Sequence, residues 1–247
     1  MQIKLPTGVS STVVERVSST MDWARSYDGS SGFPHWIMAR TQDRARGRRG
    51  RLWISNKESF LATLIMEPKC SPLTASQYSF VAACALYRSL KKYVSCSHLA
   101  QKWPNDVLLD GGKVAGILLE SSGTGQTVDR LSIGIGVNLG SAPPNVQIAN
   151  FAPIGLSDIT GETIRPEIFL EVLANNFNLS EQTFKTYGFE KIREEWIGKA
   201  TRLGEDITAH TSKEKYKGRF DGIDANGNLV LLTADGKRVI PSADVYF

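Results

Sequence analysis

A chain of 247 residues with 41% hydrophobic and 22% charged residues has the composition of an ordinary globular protein of one or two domains. Its 29 lysines and arginines exceed its 25 aspartates and glutamates by only four, which argues against a protein coated in nucleic acid. We see no secretory signal and no apolar stretch long enough to cross a bilayer, so we expect a cytoplasmic protein without membrane contact. Three cysteines without a CxxC pair and three histidines without ligand spacing predict reduced thiols and no protein-bound metal.

Hydrophobic periodicity predicts an α+β fold for most of the chain. The expected elements are strands at 52–55 and 60–66, a helix at 76–94, strands at 107–109, 114–120 and 131–139, a loop at 143–153, and helices at 166–187 and 189–197. An Asp-Gly-Gly turn at 110–112 predicts a hairpin of the two strands around it. In 131–139, apolar side chains alternate with Gly134, Gly136 and Asn138, which leaves one face open to close approach by another group.

After residue 198 the elements become short. Strands are expected at 206–210, 216–223, 229–233 and 238–240, and turns rich in glycine and asparagine separate them. About fifty residues of closely spaced strands and turns are typical of a small β-barrel. We therefore expect an α+β domain at residues 1–197 and a β-barrel domain at residues 198–247.

Residues 44–51 read RARGRRGR and place five arginines and two glycines in eight positions. Guanidinium groups this close repel one another and glycine leaves the backbone loose, so we expect this segment to order when a polyanion binds. The glycines do not fit a P-loop, which needs Gly-Lys-Ser/Thr at the start of a helix. By itself the run fits a solvated basic loop, a nucleic-acid patch or a site for another polyanion, and it does not identify which.

Three other segments combine residues suited to binding. Residues 102–106 (KWPND) place a cation, an aromatic face, an amide and a carboxylate around a rigid proline, which is typical of a binding corner or of a structural turn. Lys113 precedes a strand in which Gly116 marks close approach of another group, although an ordinary surface lysine fits this position as well. Ser19, Thr20 and Asp22 read, by themselves, as the start of a helix.

Together these segments resemble the biotin protein ligases, enzymes that attach biotin to a specific lysine of carboxylase carrier domains. The motifs follow the family order and spacing from about residue 18 to residue 140, and this ordered set is far more specific than any one motif. The matches are Ser19, Thr20, Gln42, Arg46, Gly47, Arg48, Arg49, Gly50, Arg51, Trp53, residues 102–106, Lys113, residues 114–120 and residues 134–138. The resemblance implies a catalytic domain with a mixed β-sheet packed with helices (1–197) and an SH3-like β-barrel (198–247).

The resemblance also implies the chemistry and the residues that carry it. Biotin and ATP, with Mg²⁺, would give biotinyl-5′-AMP, and the biotin would then pass to a lysine of a biotin carboxyl carrier domain. The residues expected around biotin are Ser19, Thr20, Gln42, Arg46, Gly47, Arg48, Lys113 and Gly116. Those expected around ATP or the adenylate are Arg49, Arg51, Trp53, Lys102, Asn105 and Asn138. The expected catalytic residues are Lys113, Arg48 and Asp106, the last as a candidate base for the acceptor amine.

Two residues depart from the family pattern, and three alternatives are weighed against it. Met21 stands where the family usually has asparagine, and Ala45 where the arginine segment usually begins with glycine.

Only 18 residues precede Ser19, too few for the helix-turn-helix of members that also repress transcription, so no DNA binding is expected by that route. A homodimer is compatible with the sequence. A lipoate or octanoyl ligase or transferase of similar fold is the nearest alternative. A nucleic-acid-binding module that uses the arginines is the third.

Overall fold

The computed structural model describes residues 3–143 and 152–247. Its larger part is a seven-stranded sheet made of β1 (Ser10–Val17), β2 (His35–Gln42), β3 (Phe60–Met66), β4 (Leu99–Lys102), β5 (Asp106–Leu109), β6 (Gly112–Thr124) and β7 (Thr127–Val137). The strand order is β1-β2-β3-β7-β6-β5-β4. β1 is parallel to β2, whereas the other neighbours are antiparallel, so the sheet is mixed as expected.

Helices pack against this sheet and close its core. They are α1 (Thr20–Ser26), α2 (Pro72–Leu90), α3 (Leu156–Thr160), α4 (Pro166–Tyr187) and α5 (Phe189–Ile197). α4 places Phe169 edge-on against Phe60 of β3, with 5.1 Å between ring centroids, and Phe177 against Trp36 of β2 at 6.3 Å. Aromatic pairs of this geometry add to the stabilisation from apolar burial, so α4 is fixed on the sheet by its inward face. Among the described residues, no helix has the length and apolar composition that a membrane crossing requires.

The second part of the chain forms a five-stranded antiparallel sheet, the expected SH3-like barrel. Its strands are β8 (Asp206–His210), β9 (Lys215–Ile223), β10 (Leu229–Thr233), β11 (Gly236–Ile240) and β12 (Asp244–Tyr246), in the order β11-β10-β9-β8-β12. We call residues 206–246 the C-terminal barrel. The indole nitrogen of Trp103 donates a 3.0 Å hydrogen bond to the carbonyl of Gly227, and one cluster of buried apolar residues extends through both parts. Barrel residues can therefore reach a site on the larger sheet.

Most sequence predictions of elements are confirmed. α4, α5, β8 and β10 have the predicted bounds. The hairpin of β5 and β6 is also confirmed, and its turn has Asp110 and Gly111 at φ of 46° and 79°, the left-handed conformations that a two-residue hairpin turn requires. α2 begins at Pro72, four residues before the predicted start, because the Ser71 hydroxyl caps it by accepting a 3.1 Å hydrogen bond from Thr74 N.

One predicted strand is wrong and several strands were not predicted. Residues 52–55 do not form a strand, since only an isolated bridge joins Leu52 to Arg46 across the arginine segment. β1, β2, β4 and β12 had no sequence prediction, and β1 is an edge strand without a clear apolar alternation. The predicted loop at 143–153 lies largely outside the described residues, which resume at Ala152. The domain boundary between residues 197 and 198 stays a prediction.

Candidate active site

A cavity of about 150 Å³, which we call the cleft, opens over β6 and β7. Residues 44–51, which we call the arginine loop, border it on one side, and Asp244 and Val245 of the C-terminal barrel border it on another. All of the site residues predicted from the sequence line this one cavity, with the exception of Arg49. Segments far apart in the chain therefore meet at a single place.

Glycines form the floor of the cleft. Gly116 of β6 is the register partner of Gly136 in β7, and a Cβ on Gly136 would lie 2.6 Å from the Trp53 ring. A Cβ on Gly134 would lie 2.7 Å from the sulfur of Met21. These distances are too short for a side chain, so glycine is required where other groups rest against the sheet. The prediction of close approach to this strand is confirmed, and the approaching groups are the side chains of Met21 and Trp53.

The inner end of the cleft is a network of neutral polar groups. The Oε1 atom of Gln42 accepts hydrogen bonds from the backbone N and the hydroxyl of Thr20, at 2.6 and 3.2 Å. The Thr20 hydroxyl in turn accepts a 2.8 Å bond from Thr63. Because the backbone N–H of Thr20 can only donate, the amide of Gln42 is oriented with its NH₂ group left to donate elsewhere. This end is suited to a neutral ligand that carries carbonyl acceptors.

Ser19 combines a structural role with a place in the cleft. Its hydroxyl accepts a 3.2 Å hydrogen bond from Met21 N and caps α1, which confirms the helix start predicted here from the sequence. The cap holds the first turn of α1, and with it Thr20 and Met21, at the wall of the cleft. Helix capping and a contribution to the site are thus compatible here.

The opposite end of the cleft gathers cations around one carboxylate. The Lys113 ammonium lies 2.7 Å from Oδ1 of Asp106, and that of Lys102 lies 3.9 Å from Oδ2. Lys102 is only 6% exposed, and burial lowers the pKa of its ammonium. Burial also lowers the pKa of the Arg48 guanidinium, which donates a 3.3 Å hydrogen bond to Asn105 Oδ1. Three cations facing one carboxylate leave an excess of positive charge, which suits an anionic ligand.

Three buried polar side-chain atoms of the cleft have no hydrogen-bond partner among the described residues. They are Oδ1 of Asp106, which is in the ion pair with Lys113, and Nε1 of Trp53 and Oδ1 of Asn138, for which no ion pair compensates. The Lys113 ammonium lies 5.5 Å from the centroid of the Trp53 ring, within cation–π distance. Asn138 donates its own NH₂ to the carbonyls of Lys113 and Ile154, at 3.4 and 3.1 Å. A buried donor and acceptor that lack partners are costly by themselves, so both fit a site that a polar ligand completes.

The arginines of the arginine loop bind carboxylates on two different parts of the molecule. Arg46 binds Asp22 at 2.8 Å and Glu120 at 3.0 Å, both on the larger domain. Arg49 and Arg51 instead bind Asp244 of the C-terminal barrel. Ala45 is buried and keeps a negative φ, so its methyl group is accommodated at the position where the sequence departs from the family pattern.

Sequence reasoning missed the contribution of the barrel to the cleft. Asp244 and Ser242 contact the arginine loop, but nothing in residues 241–247 marks them as site residues. Thr63 was missed as well, because it appeared only as one position of an apolar strand. Glu120 was included in the family match without a role, and its ion pair with Arg46 now gives it one.

Comparison with known proteins decides the family. A model of the biotin/lipoate A/B protein ligase family matches residues 13–138, and a model of the biotin protein ligase C-terminal domain matches residues 203–247. The chain belongs to the biotin/lipoate A/B protein ligase family. It is similar to the biotin--[acetyl-CoA-carboxylase] ligase of Paracoccus denitrificans, with 47% identity over 86% of this chain and 90% of that protein. It is 30% identical to the bifunctional ligase/repressor BirA of Bacillus subtilis over 85% of this chain and 65% of that protein.

Solved structures show the same fold. The biotin protein ligase from Aquifex aeolicus, solved in complex with biotin and ATP, superposes with a TM-score of 0.82. The alignment covers 96% of this chain and 98% of that one, at 24% sequence identity. The sheet and the C-terminal barrel thus recur together in a related arrangement.

Proposed function

We propose that this chain is a biotin protein ligase, which makes biotinyl-5′-AMP from biotin and ATP and transfers the biotin to a lysine of a carrier domain. One observation carries the proposal: neutral donors at one end of the cleft and cations at the other are joined by a floor of glycines. Such a cleft fits a ligand with a neutral polar ring, an apolar middle and a carboxylate. Biotin has these three parts, and the 47% identical relative from Paracoccus denitrificans is a biotin--[acetyl-CoA-carboxylase] ligase.

In the first half-reaction, a carboxylate oxygen of biotin attacks the α-phosphorus of ATP. The bond between the α-phosphorus and the bridging oxygen breaks, and pyrophosphate leaves with the bonding electrons. The main obstacle is the repulsion between two anions, since like unit charges 4 Å apart repel by about 4 kcal/mol in a protein-surface dielectric. We assign Lys113, Arg48 and Lys102 to offset this repulsion, because all three cations line the same end of the cleft.

The neutral end would hold the biotin ring system. The NH₂ group of Gln42 is oriented to donate, and the hydroxyls of Ser19 and Thr20 lie beside it. Gly116 and the facing Gly136 leave room for a chain of methylene groups against the sheet. Trp53 now occupies part of that space, so we propose that its indole moves when biotin and the adenine of ATP enter.

In the second half-reaction, the acceptor lysine amine attacks the carbonyl carbon of the adenylate. The bond from that carbon to the phosphate oxygen breaks, AMP leaves, and the amine loses a proton to become an amide. Asp106 is the candidate acceptor of this proton. Its carboxylate forms ion pairs with Lys113 and Lys102, so it also fixes the place of both ammonium groups. Positioning of the two cations is therefore the stronger part of its role.

Mg²⁺ fits this site as part of the ATP substrate. Among residues 3–143 and 152–247, no group of three or more carboxylate, imidazole or thiol side chains is placed to hold a metal ion. Mg²⁺ commonly binds through phosphate oxygens and waters with few protein ligands, so the Mg–ATP complex does not need such a group. The carrier partner would be a biotin carboxyl carrier domain, as the acetyl-CoA-carboxylase in the relative's name suggests.

Pyrophosphate release from Mg–ATP tests the proposal directly. We expect release that depends on biotin, is not supported by lipoate, and leaves biotin on a carrier domain when one is added. Release that depends on lipoate or octanoate in place of biotin would assign the chain to the other branch of its family. Steeply salt-dependent binding of DNA or RNA without pyrophosphate release would instead support the nucleic-acid interpretation.

A further inference from the structure

Asp244 belongs to the C-terminal barrel, but its side chain binds the arginine loop. Its Oδ2 atom accepts hydrogen bonds from Arg49, at 2.8 Å, and from Arg51. Two residues earlier, the hydroxyl of Ser242 accepts a 3.3 Å bond from Arg48. Arg48, Arg49 and Arg51 of the loop are thus bound by the three residues 242–244, which lead into β12. The Asp244 carboxylate forms ion pairs with two of these arginines, and the charge of Arg48 acts on it as well.

The conformation of the loop makes this contact informative. Arg49 has φ of 57° and ψ of 29°, the left-handed conformation that non-glycine residues seldom adopt, and Gly50 follows at φ of 72°. A left-handed arginine costs about 1 kcal/mol or more and persists only where its surroundings fix it. The turn at Arg48–Gly50 directs both Arg49 and Arg51 to the same carboxylate, which supplies that constraint.

Burial and charge make the contact stronger than a typical surface ion pair. The Asp244 side chain is 14% exposed, and those of Arg49 and Arg51 are 37% and 44% exposed. Burial by itself raises the pKa of the Asp244 carboxyl, but the hydrogen bond and charge of Arg51, with the charges of Arg49 and Arg48, lower it overall. Asp244 is therefore ionised at neutral pH. Exposed ion pairs contribute little to stability, whereas a partly buried carboxylate that accepts charge-assisted hydrogen bonds from two arginines holds both side chains in place.

The position of the contact connects it with the cleft. Asp244 and Val245 line the cleft together with Arg46, Arg48 and Arg51. At its other end the loop is bound to the larger domain through Arg46. The loop is therefore fixed at two points on two different parts of the molecule, and Asp244 provides the second point.

We propose that Asp244 is a positioning residue, through which the C-terminal barrel holds the arginine loop closed over the cleft and so retains the bound adenylate. This inference rests on the proposed ligase function for its consequence, although the contact itself does not depend on a ligand. It gives the barrel a role in the reaction cycle: if the contact is released, the loop opens and the mixed anhydride escapes to water or to unrelated amines.

The first experiment needs no ligand. Trypsin cuts after arginine, so cleavage within residues 44–51 reports how often the empty loop opens. We expect Asp244→Asn to be cut about tenfold faster than the wild type, which is the effect of losing a charge-assisted hydrogen bond of ordinary strength. Asp221→Asn, at an exposed carboxylate on β9 of the same barrel, is the matched control and should be cut at the wild-type rate.

The second experiment measures release of the preformed adenylate in a chase with unlabelled biotin and ATP. We expect Asp244→Asn to release it faster than the wild type, and Asp244→Glu to restore slow release in part. Arg51→Gln and the double variant complete a cycle, in which the second substitution should add little to the first. Additive effects, or wild-type cleavage and release in Asp244→Asn, would refute the proposal.

The two experiments separate this inference from the proposed function. If the wild-type protein forms no adenylate, the ligase proposal fails, but the cleavage assay still decides whether Asp244 holds the loop. If Asp244→Asn lowers the melting temperature and slows every step without faster cleavage, Asp244 is a structural residue of the barrel and the inference is wrong.

Discussion

Arg46 and Arg25 bind the same two carboxylates, but only Arg46 lines the cleft. Arg46 lies 2.8 Å from Asp22 and 3.0 Å from Glu120, whereas Arg25 lies 3.6 Å and 2.9 Å from them. The Arg46 side chain is 24% exposed and that of Arg25 is 67% exposed. The molecule thus contains a matched pair of cations that differ in their access to the ligand.

This pair gives the first prediction. Arg46→Ala should raise the KM for biotin by about tenfold or more, because it removes both a wall of the cleft and the attachment of the loop to the larger domain. Arg25→Ala should change the KM by about twofold or less, since Arg25 does not line the cleft and many exposed ion pairs contribute only a few tenths of a kcal/mol. Steady-state pyrophosphate release at varied biotin concentration measures both. Equal effects of the two substitutions would mean that Arg46 acts only through its carboxylates.

Lys113→Ala should abolish adenylate formation. The substitution removes the ammonium that faces Asp106 and leaves that carboxylate to repel the incoming phosphates. Lys69, which forms an exposed 3.2 Å ion pair with Asp129, offers a control of the same chemical type outside the cleft. Pyrophosphate release should be lost in the first variant and normal in Lys69→Ala. Near-normal release by Lys113→Ala would remove Lys113 from the catalytic residues.

Gly136→Ala should disrupt the floor of the cleft. The added methyl group would lie 2.6 Å from the rigid Trp53 ring, so the indole must shift, and biotin would meet the same obstruction. We expect adenylate formation to fall by about tenfold or more. Gly198→Ala is the control. Gly198 has a helical φ of −62°, and a Cβ added there would lie no closer than 3.5 Å to the nearest atom, the carbonyl oxygen of Glu194. Isothermal titration with biotin would separate weaker binding from a slower reaction.

Lys102 predicts a particular dependence on pH. Burial disfavours its charged form, so it loses its proton below the ordinary lysine value of 10.5, and ATP binding should weaken as the pH rises through that lowered pKa. In the unfolded chain Lys102 keeps its proton up to a higher pH than in the folded protein. Between the two pKa values, the contribution of Lys102 to the free energy of unfolding therefore rises with pH. Activity should therefore fall without a matching fall in melting temperature. Lys102→Arg should move the alkaline loss of ATP binding to higher pH; an unmoved profile would assign it to another group.

The sequence predicted those parts of the fold that depend on local pattern. α4 and α5 follow from their proline and glycine boundaries and their helical periodicity, and the turn at Asp110 and Gly111 follows from its residue types. β1 and β12 could not be predicted in this way, because their stability comes from strands that lie elsewhere in the chain. β1, for example, pairs with β2 across a helix and a loop.

The same distinction applies to the site. Residues 102–106 have an unusual composition and Lys113 stands beside a glycine-containing strand, so both could be recognised in the sequence. Lys113 and all of residues 102–106 except Trp103 line the cleft. The contact between Arg51 and Asp244 joins residues that are 193 positions apart, and no neighbouring residue marks the aspartate at the start of this short strand as a site residue. Sequence pattern therefore identified the arginine loop but not the residue that binds it.

The side chains that rest on β7 also bear on substrate range. Met21 covers Gly134, and methionine is unbranched and adaptable, so the wall of the cleft here consists of a flexible group standing on a rigid floor. Shortening it, as in Met21→Ala, would leave a vacancy beside the sheet without altering the strand. A biotin analogue with an added azide or alkyne near its ring could fill that vacancy, and competition between analogue and vitamin for labelling a carrier would measure the change. Met21 is then a position at which to redesign what the enzyme attaches.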